Sequence, residues 1–490
     1  MLFNSRTFLI FFLSVTTLYF LIPNKWRWVF LLGASMAFYM AFVPKYILIL
    51  LFLAVVDYVG GILLEKAQTD RVRKIILASS LTLDLATLGF FKYFNFFADN
   101  VEALARMLHW NYGFTTLEIL LPLGISFHIF QSLSYVIEVY RGKQKAEKHF
   151  GFFFLYIIFY PQLVAGPIER AQNLLPQLRA SRPFSYVAAS SGIQLMLWGL
   201  FKKVVIADRA ALFVNQMYAS DGSADFTGVN LLIASVFFAI QIYCDFSGYS
   251  DIARGAARVM GIRIMENFRY PYGAASVAEF WQRWHISLST WFRDYLYIPL
   301  GGNRVAVPRW YFNVLIVFLV SGLWHGARWT FVVWGALHGM YLLFSLATAR
   351  MRELFVHAIR LDRMPAIRRA FQIGMTFSLV TFGWIFFRSP SLNEAFAIIG
   401  RIILDIPQLF SFSTMYHVIT QSRLGGFEFV IAIAAIVVME IVHILQKRKS
   451  CVERIRDYPL WVRWSSVYAL IAAVYFLGIF DDTAFIYFQF

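Results

Sequence analysis

Long apolar stretches constrain this chain more than any other feature of its sequence. About eleven of them approach the roughly 20 residues that a helix needs to cross a bilayer, and they lie near residues 7–22, 27–43, 46–64, 75–97, 118–139, 228–246, 310–347 (a pair), 370–387, 426–446 and 460–480. Stretches of this length predict transmembrane helices. The sequence therefore predicts an all-α polytopic membrane protein with about eleven transmembrane helices.

Composition supports this prediction. Hydrophobic residues make up 59% of the chain and charged residues 15%, whereas soluble domains average about 45–50% apolar and about 25% charged residues. A soluble globule could not bury so much apolar surface. The formal net charge of +16 comes from short basic clusters between apolar runs, which indicates membrane topology and not a nucleic-acid partner. The two cysteines, Cys244 and Cys451, indicate neither a disulfide framework nor a cysteine-based metal site, and we predict no metal.

Loops and interrupted segments give the predicted topology. Apolar but interrupted segments near 150–165, 186–206, 247–265 and 280–300 are typical of re-entrant or interfacial pieces, which are tolerated at membrane depth when buried in protein. Basic clusters predict cytoplasmic loops at residues 66–74, 141–148, 350–369 and 447–456. This assignment puts the N-terminus and the C-terminus outside the cytoplasm.

Polar and ionisable residues are concentrated within 243–339, in otherwise apolar surroundings. Such groups are costly at membrane depth and usually face a cavity or the bundle interior. Residues 243–251 (YCDFSGYSD) follow an apolar run and contain a glycine, which predicts a broken helix with Asp245 and Asp251 near a cavity. The alternative is that Asp245 caps a new helix and Asp251 pairs with Arg254.

The segment 280–295 (FWQRWHISLSTWFRDY) predicts an amphipathic helix with one aromatic and one polar stripe. His285 falls on the aromatic stripe. It is either a functional residue or a histidine packed in the core. Residues 299–304 (PLGGNR) predict a turn after this helix, and a lone motif of this kind is too weak to indicate a phosphate loop.

His325 lies between two long apolar segments, within residues 321–329 (SGLWHGARW). An imidazole can take a proton from a hydroxyl near neutral pH, and the neighbouring glycines allow close approach of the chain or a ligand. The alternative is a histidine that only packs helices. A continuous helix from His325 to His338 would separate the two imidazoles by about 20 Å, too far for one metal, and we interpret His338 as structural.

Five motifs taken together resemble the bacterial membrane-bound O-acyltransferase family, most closely its alginate O-acetyltransferase branch. They occur in order at residues 161–168 (PQLVAGPI), 245–251 (DFSGYSD), 283–289 (RWHISLS), 297–304 (YIPLGGNR) and 323–326 (LWHG). The resemblance extends over nearly the whole chain. It implies one domain over residues 1–490 with a catalytic core at about 150–347, and a ring of tilted helices around a central tunnel.

The resemblance also implies roles for individual residues. His325 matches the family's catalytic histidine and His285 its second motif histidine, and whether His325 acts as general base or briefly carries the acyl group stays open. We predict substrate binding by motif residues and their neighbours: Trp324, Asp245, Tyr249, Trp281, Arg283, Asp294 and Asn303.

The implied reaction passes an acetyl group from a cytoplasmic donor, acetyl-CoA, through the protein to an exported polysaccharide such as alginate. No cofactor is expected apart from acetyl-CoA as donor substrate. The expected partners are a periplasmic or surface-anchored acetyltransferase, the polysaccharide and membrane lipid, in the bacterial cytoplasmic (inner) membrane. The alternatives are D-alanyl transfer to teichoic acid by the same fold, and a polytopic transporter or flippase.

Overall fold

The computed structural model describes residues 1–490 except 111–112, 114–116, 118–120, 123, 164–165, 220–225, 421–423, 447–458, 481–484 and 487–490. Every regular element in the described part of the chain is helical. Seven helical segments there are long and apolar enough to cross a membrane: Pro44–Lys66, Asp70–Met107, Gly228–Val259, Val307–His325, Trp329–Ala347, Pro365–Arg388 and Gly425–Gln446. The chain is an all-α polytopic membrane protein, as predicted.

The chain divides into two compact units, and the first comprises residues 1–193 and 253–265. Its helices are α1 (Arg6–Leu21), α2 (Asn24–Met40), α3 (Ile47–Lys66), α4 (Asp70–Leu88), α5 (Phe94–Met107), α6 (Ile125–Tyr140), α7 (Phe150–Ile158), α8 (Tyr160–Leu163) and α9 (Ala171–Arg179). Within this unit the apolar stretch predicted at 118–139 contains the helix α6, which begins at Ile125 and is buried along most of its length, while residues 118–120 and 123 lie outside the described part of the chain.

Several buried polar side chains of the first unit form hydrogen bonds within that unit. The amides of Gln131 and Gln162 both donate to the carbonyl oxygen of Tyr156, at 2.6 and 2.7 Å. Asp57 on α3 and Asp84 on α4 are fully buried, and the hydroxyl of Ser132 on α6 donates to Asp57. The contact between Ser132 and Asp57 links α6 to α3 through polar groups at membrane depth, where each would be costly alone.

The second unit comprises residues 194–252 and 266–490. Helices α10 (Tyr186–Leu200) and α12 (Gly228–Val259) have residues in both units, and a π-helical turn at Phe201–Ala207 joins α10 to α11 (Asp208–Met217). The unit continues with α13 (Val277–Arg283), α14 (Ile286–Phe292), α15 (Val307–His325), α16 (Trp329–Ala347), α17 (Ala349–Ala358), α18 (Pro365–Arg388), α19 (Leu392–Leu404), α20 (Phe412–Thr420), α21 (Gly425–Gln446) and α22 (Leu460–Leu477).

Two local predictions are wrong. Helix α12 runs unbroken through residues 243–251. Gly248 packs against main-chain atoms of α10 and does not end its own helix: a Cβ there would lie 2.8 Å from the carbonyl oxygen of Gly199. The segment 247–265 is therefore mostly the second half of a long helix and not a re-entrant piece.

Candidate functional site

His325 is the last residue of α15 and is almost completely buried, with 3% of its surface exposed. Aromatic rings surround its imidazole: the ring centroids of Trp324, Trp334 and Phe387 lie 5.0, 5.1 and 5.6 Å away. The chain turns extended at Gly326, and α16 begins at Trp329. The catalytic candidate therefore sits at a helix end, inside an aromatic shell.

Glycines let α15 and α16 pack with their backbones in contact. A Cβ on Gly322 would lie 2.3 Å from the carbonyl oxygen of Phe331, and one on Gly335 would lie 2.3 Å from that of Phe318. Real side-chain carbons do not approach main-chain oxygens so closely, so only glycine fits both positions. This hairpin replaces the continuous helix assumed in comparing His325 with His338, and both imidazoles contact the indole of Trp334 at 5.1 Å.

His285 occupies the break between α13 and α14, which corrects the prediction of one helix over 280–295. Its backbone is left-handed, with a φ of +44° and a ψ of 54°, a conformation that costs a non-glycine residue about 1–3 kcal/mol. Asn267 stabilises the break: its Oδ1 accepts hydrogen bonds from the backbone N–H and the hydroxyl of Ser287, at 3.1 and 3.0 Å.

The same amide fixes the tautomer of His285. Because the N–H of Ser287 can only donate, the Asn267 atom that it meets must be the carbonyl oxygen. His285 Nδ1 lies 3.2 Å from this oxygen and must therefore carry a proton. The lone pair of a neutral ring then lies on Nε2. Complete burial lowers the pKa of His285 to about 3, which favours the neutral ring at physiological pH.

The structure brings the two predicted histidines together. Their ring centroids are 6.4 Å apart, and Trp324 contacts both, at 5.0 Å from His325 and 6.3 Å from His285. The ring of Phe246, on α12, meets His285 edge-on at 4.7 Å. The DFSGYSD motif thus reaches the site through its phenylalanine.

The carboxylates of this motif instead enter a buried charge cluster that the sequence did not reveal. Lys203 Nζ lies 2.7 Å from Asp245 and 2.8 Å from Asp208, and the three side chains are at most 4% exposed. Lys202 pairs with Asp251 at 2.7 Å and donates to the hydroxyl of Ser247 at 2.9 Å. Both lysines come from the π-helical turn, a geometry frequent at functional sites.

Asp245 and Tyr249 also hold the segment that follows α22. The backbone N–H of Ile486 donates to Asp245 Oδ2 at 2.7 Å. The ring of Phe485 lies 4.6 Å from that of Tyr249 and 5.6 Å from that of Phe246. Phe485 therefore packs against Phe246, the residue whose ring contacts His285.

The remaining predicted site residues occupy two kinds of position. The indole N–H of Trp281 donates to His338 Nδ1 at 3.3 Å, and the indole packs on Trp334 within the aromatic shell. Arg283, Asp294 and Asn303 lie further out: Arg283 pairs with Glu279, Asp294 pairs with Arg293 at 2.9 Å, and Asn303 is exposed. The described contacts do not join these three to the histidines.

Comparison with known sequences identifies the fold family. The sequence model of the membrane-bound O-acyltransferase family matches residues 149–385. A protein named "Probable alginate O-acetylase AlgI" from Azotobacter vinelandii is 38% identical over 401 residues, covering 81% of this chain and 76% of the relative. The chain belongs to the membrane-bound O-acyltransferase family.

Two further relatives carry related names. The peptidoglycan O-acetyltransferase of Helicobacter pylori is 33% identical over 441 residues, covering 82% of this chain and 80% of the relative. A teichoic acid D-alanyltransferase of Streptococcus thermophilus is 29% identical over 292 residues, covering 56% of this chain and 69% of the relative. The chain is an O-acyltransferase, and the transporter alternative is set aside.

The geometry suits a membrane-bound O-acyltransferase. Two buried imidazoles both contact the indole of Trp324, and one of them has its tautomer fixed by a buried amide. Within the described ranges, no group of three or more histidine, cysteine or acidic residues could hold a metal ion. The expectation that no metal takes part stays a prediction.

Proposed function

We propose that this O-acyltransferase passes acetyl groups from cytoplasmic acetyl-CoA, across the bacterial inner membrane, to an exported polysaccharide such as alginate. The observation that carries the proposal is the pair of buried histidines, with ring centroids 6.4 Å apart, in a chain 38% identical to a probable alginate O-acetylase. The names of the relatives support a polysaccharide acceptor, with alginate first and peptidoglycan as the second candidate.

In this proposal His325 is the central catalytic residue. It takes the proton from the acceptor hydroxyl as that oxygen attacks the acyl carbonyl, and returns a proton to the leaving thiolate. Its aromatic shell excludes water, which would otherwise hydrolyse the acyl donor. His285 orients the donor, the acceptor or His325 through Nε2, because Asn267 already engages its Nδ1.

Passing only the acetyl group through the protein explains why the site is buried among apolar helices. Acyl-CoA is large and highly charged, and moving its charges through a low-dielectric medium would be very costly. A tunnel lined by few polar groups suffices for an acetyl group. A separate periplasmic or surface-anchored acetyltransferase then delivers the acetyl group to the polymer.

Acetylation of the exported polymer tests this proposal. Cells that express His325→Ala should lose polymer acetylation while the protein level in the membrane stays normal, since losing general acid–base help lowers a rate by about 10² to 10⁴-fold. Normal acetylation by a well-expressed His325→Ala variant would contradict the assignment. Purified protein in nanodiscs should transfer labelled acetyl from acetyl-CoA, whereas transfer of D-alanine from a carrier thioester would favour the teichoic acid alternative.

A further inference from the structure

His338 contacts the catalytic shell although the proposed chemistry gives it no role. It lies in α16, one turn after Trp334, and is completely buried. Its ring centroid lies 5.1 Å from those of both Trp334 and Trp281. Trp334 in turn lies 5.1 Å from His325. The indole of Trp334 therefore lies between the imidazole of His325 and that of His338.

A hydrogen bond defines how His338 is held. The indole N–H of Trp281 donates to His338 Nδ1 at 3.3 Å. An indole nitrogen can only donate, so Nδ1 must be the acceptor and the ring proton of a neutral His338 must lie on Nε2. This is the opposite tautomer from that of His285. His338 can accept the bond only while it is neutral.

Trp281 has no other hydrogen-bonding group on its side chain. Its ring packs on Phe318 at 5.3 Å and on Trp334 at 5.7 Å, apolar contacts that do not engage its N–H. The bond to His338 engages this group. It ties α13, which leads into the break at His285, to α16, which carries Trp334.

The other edge of His338 faces α18, where Gly383 leaves room for it. A Cβ on Gly383 would lie 3.1 Å from His338 Nε2. The residue after this glycine, Trp384, stacks on Trp334 at 5.7 Å, and Phe387 contacts both Trp334 and His325, at 5.2 and 5.6 Å. His338 is thus a polar residue at the point where α13, α16 and α18 meet beside the catalytic ring.

We propose that His338 is a positioning residue of the acyltransferase: as a hydrogen-bond acceptor it fixes Trp281 and, through Trp281, Trp334. These two indoles form a wall, and His325 packs against its Trp334 side. This inference rests on the proposed catalytic role of His325. The wall sets the position of an imidazole that must meet reacting atoms closely, and a displacement of about 1 Å in such a site can cost about 10²-fold in rate.

Three substitutions at one position separate the acceptor from mere packing. His338→Asn places its Oδ1 at the same number of bonds from Cα as Nδ1, so it can still accept from Trp281. His338→Gln moves the acceptor one bond further out, and His338→Ala removes it. For labelled acetyl transfer by purified protein in nanodiscs, we expect kcat to fall about 10- to 100-fold for His338→Ala and His338→Gln, with KM within about two-fold. His338→Asn should stay within about three-fold of the wild type.

Trp281→Phe removes the donor and gives an independent test. If the two side chains act through one hydrogen bond, Trp281→Phe should lower kcat as much as His338→Ala does, and the double variant should be no slower than either. Tyr341→Phe is the matched control, because the Tyr341 ring contacts His338 at 5.7 Å and the substitution keeps that ring. It should have wild-type kcat.

The outcomes distinguish this inference from the proposed function. An active His325→Ala variant would overturn the proposed function itself. If His325→Ala is inactive but His338→Ala keeps wild-type kcat, or if monodisperse His338→Asn is as slow as His338→Ala, the positioning role of His338 is wrong. Additive losses in the double variant would equally overturn it.

Discussion

Replacing Lys203 by methionine should destabilise the protein more than any single change to its acidic partners. Methionine keeps the length and apolar stem of the side chain but removes the ammonium group, which lies 2.7 Å from Asp245 and 2.8 Å from Asp208. All three side chains are at most 4% exposed. The substitution leaves two buried carboxylates close together with their shared cation gone.

The magnitude follows from charge balance. The cluster of Lys203, Asp208 and Asp245 holds one cation and two carboxylates, a formal excess of one negative charge. Lys203→Met raises this excess to two, and removing one partner of a buried ion pair costs about 3–5 kcal/mol. Asp208→Asn instead leaves one cation with one carboxylate, so its cost should be near that of a charged hydrogen bond, about 1.5–3 kcal/mol.

Thermal unfolding in mild detergent, followed by fluorescence-detected size-exclusion chromatography, measures the difference. The apparent Tm should fall in the order wild type, Asp208→Asn, Lys203→Met, and the amount of folded protein in membranes should follow the same order. The double variant Lys203→Met/Asp208→Asn should recover part of the loss, because it leaves one carboxylate in place of two. A Lys203→Met protein that melts at or above Asp208→Asn would refute the reasoning.

Four further predictions concern the histidines, the break at His285 and the topology. His285→Gln keeps a donor and an acceptor, so it should retain more acetyl transfer than His325→Gln, and equal complete loss in two stable variants would mean that both histidines transfer protons. Asn267→Ala should destabilise the break at His285 by about 1–3 kcal/mol and lower kcat, measured by melting and acetyl transfer; an unchanged kcat would contradict a role for the break. The acid limb of the pH–rate profile should persist in His285→Gln, because the pKa of His285 is lowered to about 3, and loss of that limb would contradict this. Cysteine labelling should find residues 66–74, 141–148, 350–369 and 447–456 in the cytoplasm and residue 490 outside. Residues 447–456 and 490 lie outside the described part of the chain. Labelling of 350–369 from the exterior would overturn this topology.

Apolar length and motif order were enough to predict the helical membrane fold and to place the candidate site in one region of the chain. Apolar length alone indicates a transmembrane helix, and the two histidines stand out because ionisable groups are costly at membrane depth. The structure places their rings 6.4 Å apart, although they are separated by 40 positions in the sequence. Their common location in one region of polar residues therefore agrees with their proximity in the structure.

The misplaced details depend on contacts between distant segments. The residues around His285 do not predict its left-handed backbone, because the Asn267 amide that stabilises it lies outside the segment 280–295. The sequence predicts a helix break at Gly248, but this glycine allows a backbone contact with Gly199 on another helix. In the sequence, Lys202 and Lys203 only interrupt an apolar segment. Their acidic partners lie up to 49 residues away, and charge complementarity at that distance is not a local signal.

The glycine contacts between α15 and α16 have a consequence for how relatives of this enzyme can diverge. Main-chain oxygens, and not side chains, meet at Gly322 and Gly335, so repacking neighbouring side chains cannot shift the register of the hairpin. Substitutions at the contact between α15 and α16 can therefore disrupt the fold, but they cannot change the position of one helix against the other by small steps. Changes in acceptor or acyl preference are therefore expected on the helices that face the hairpin, such as α18, where Trp384 and Phe387 complete the shell with exchangeable side chains.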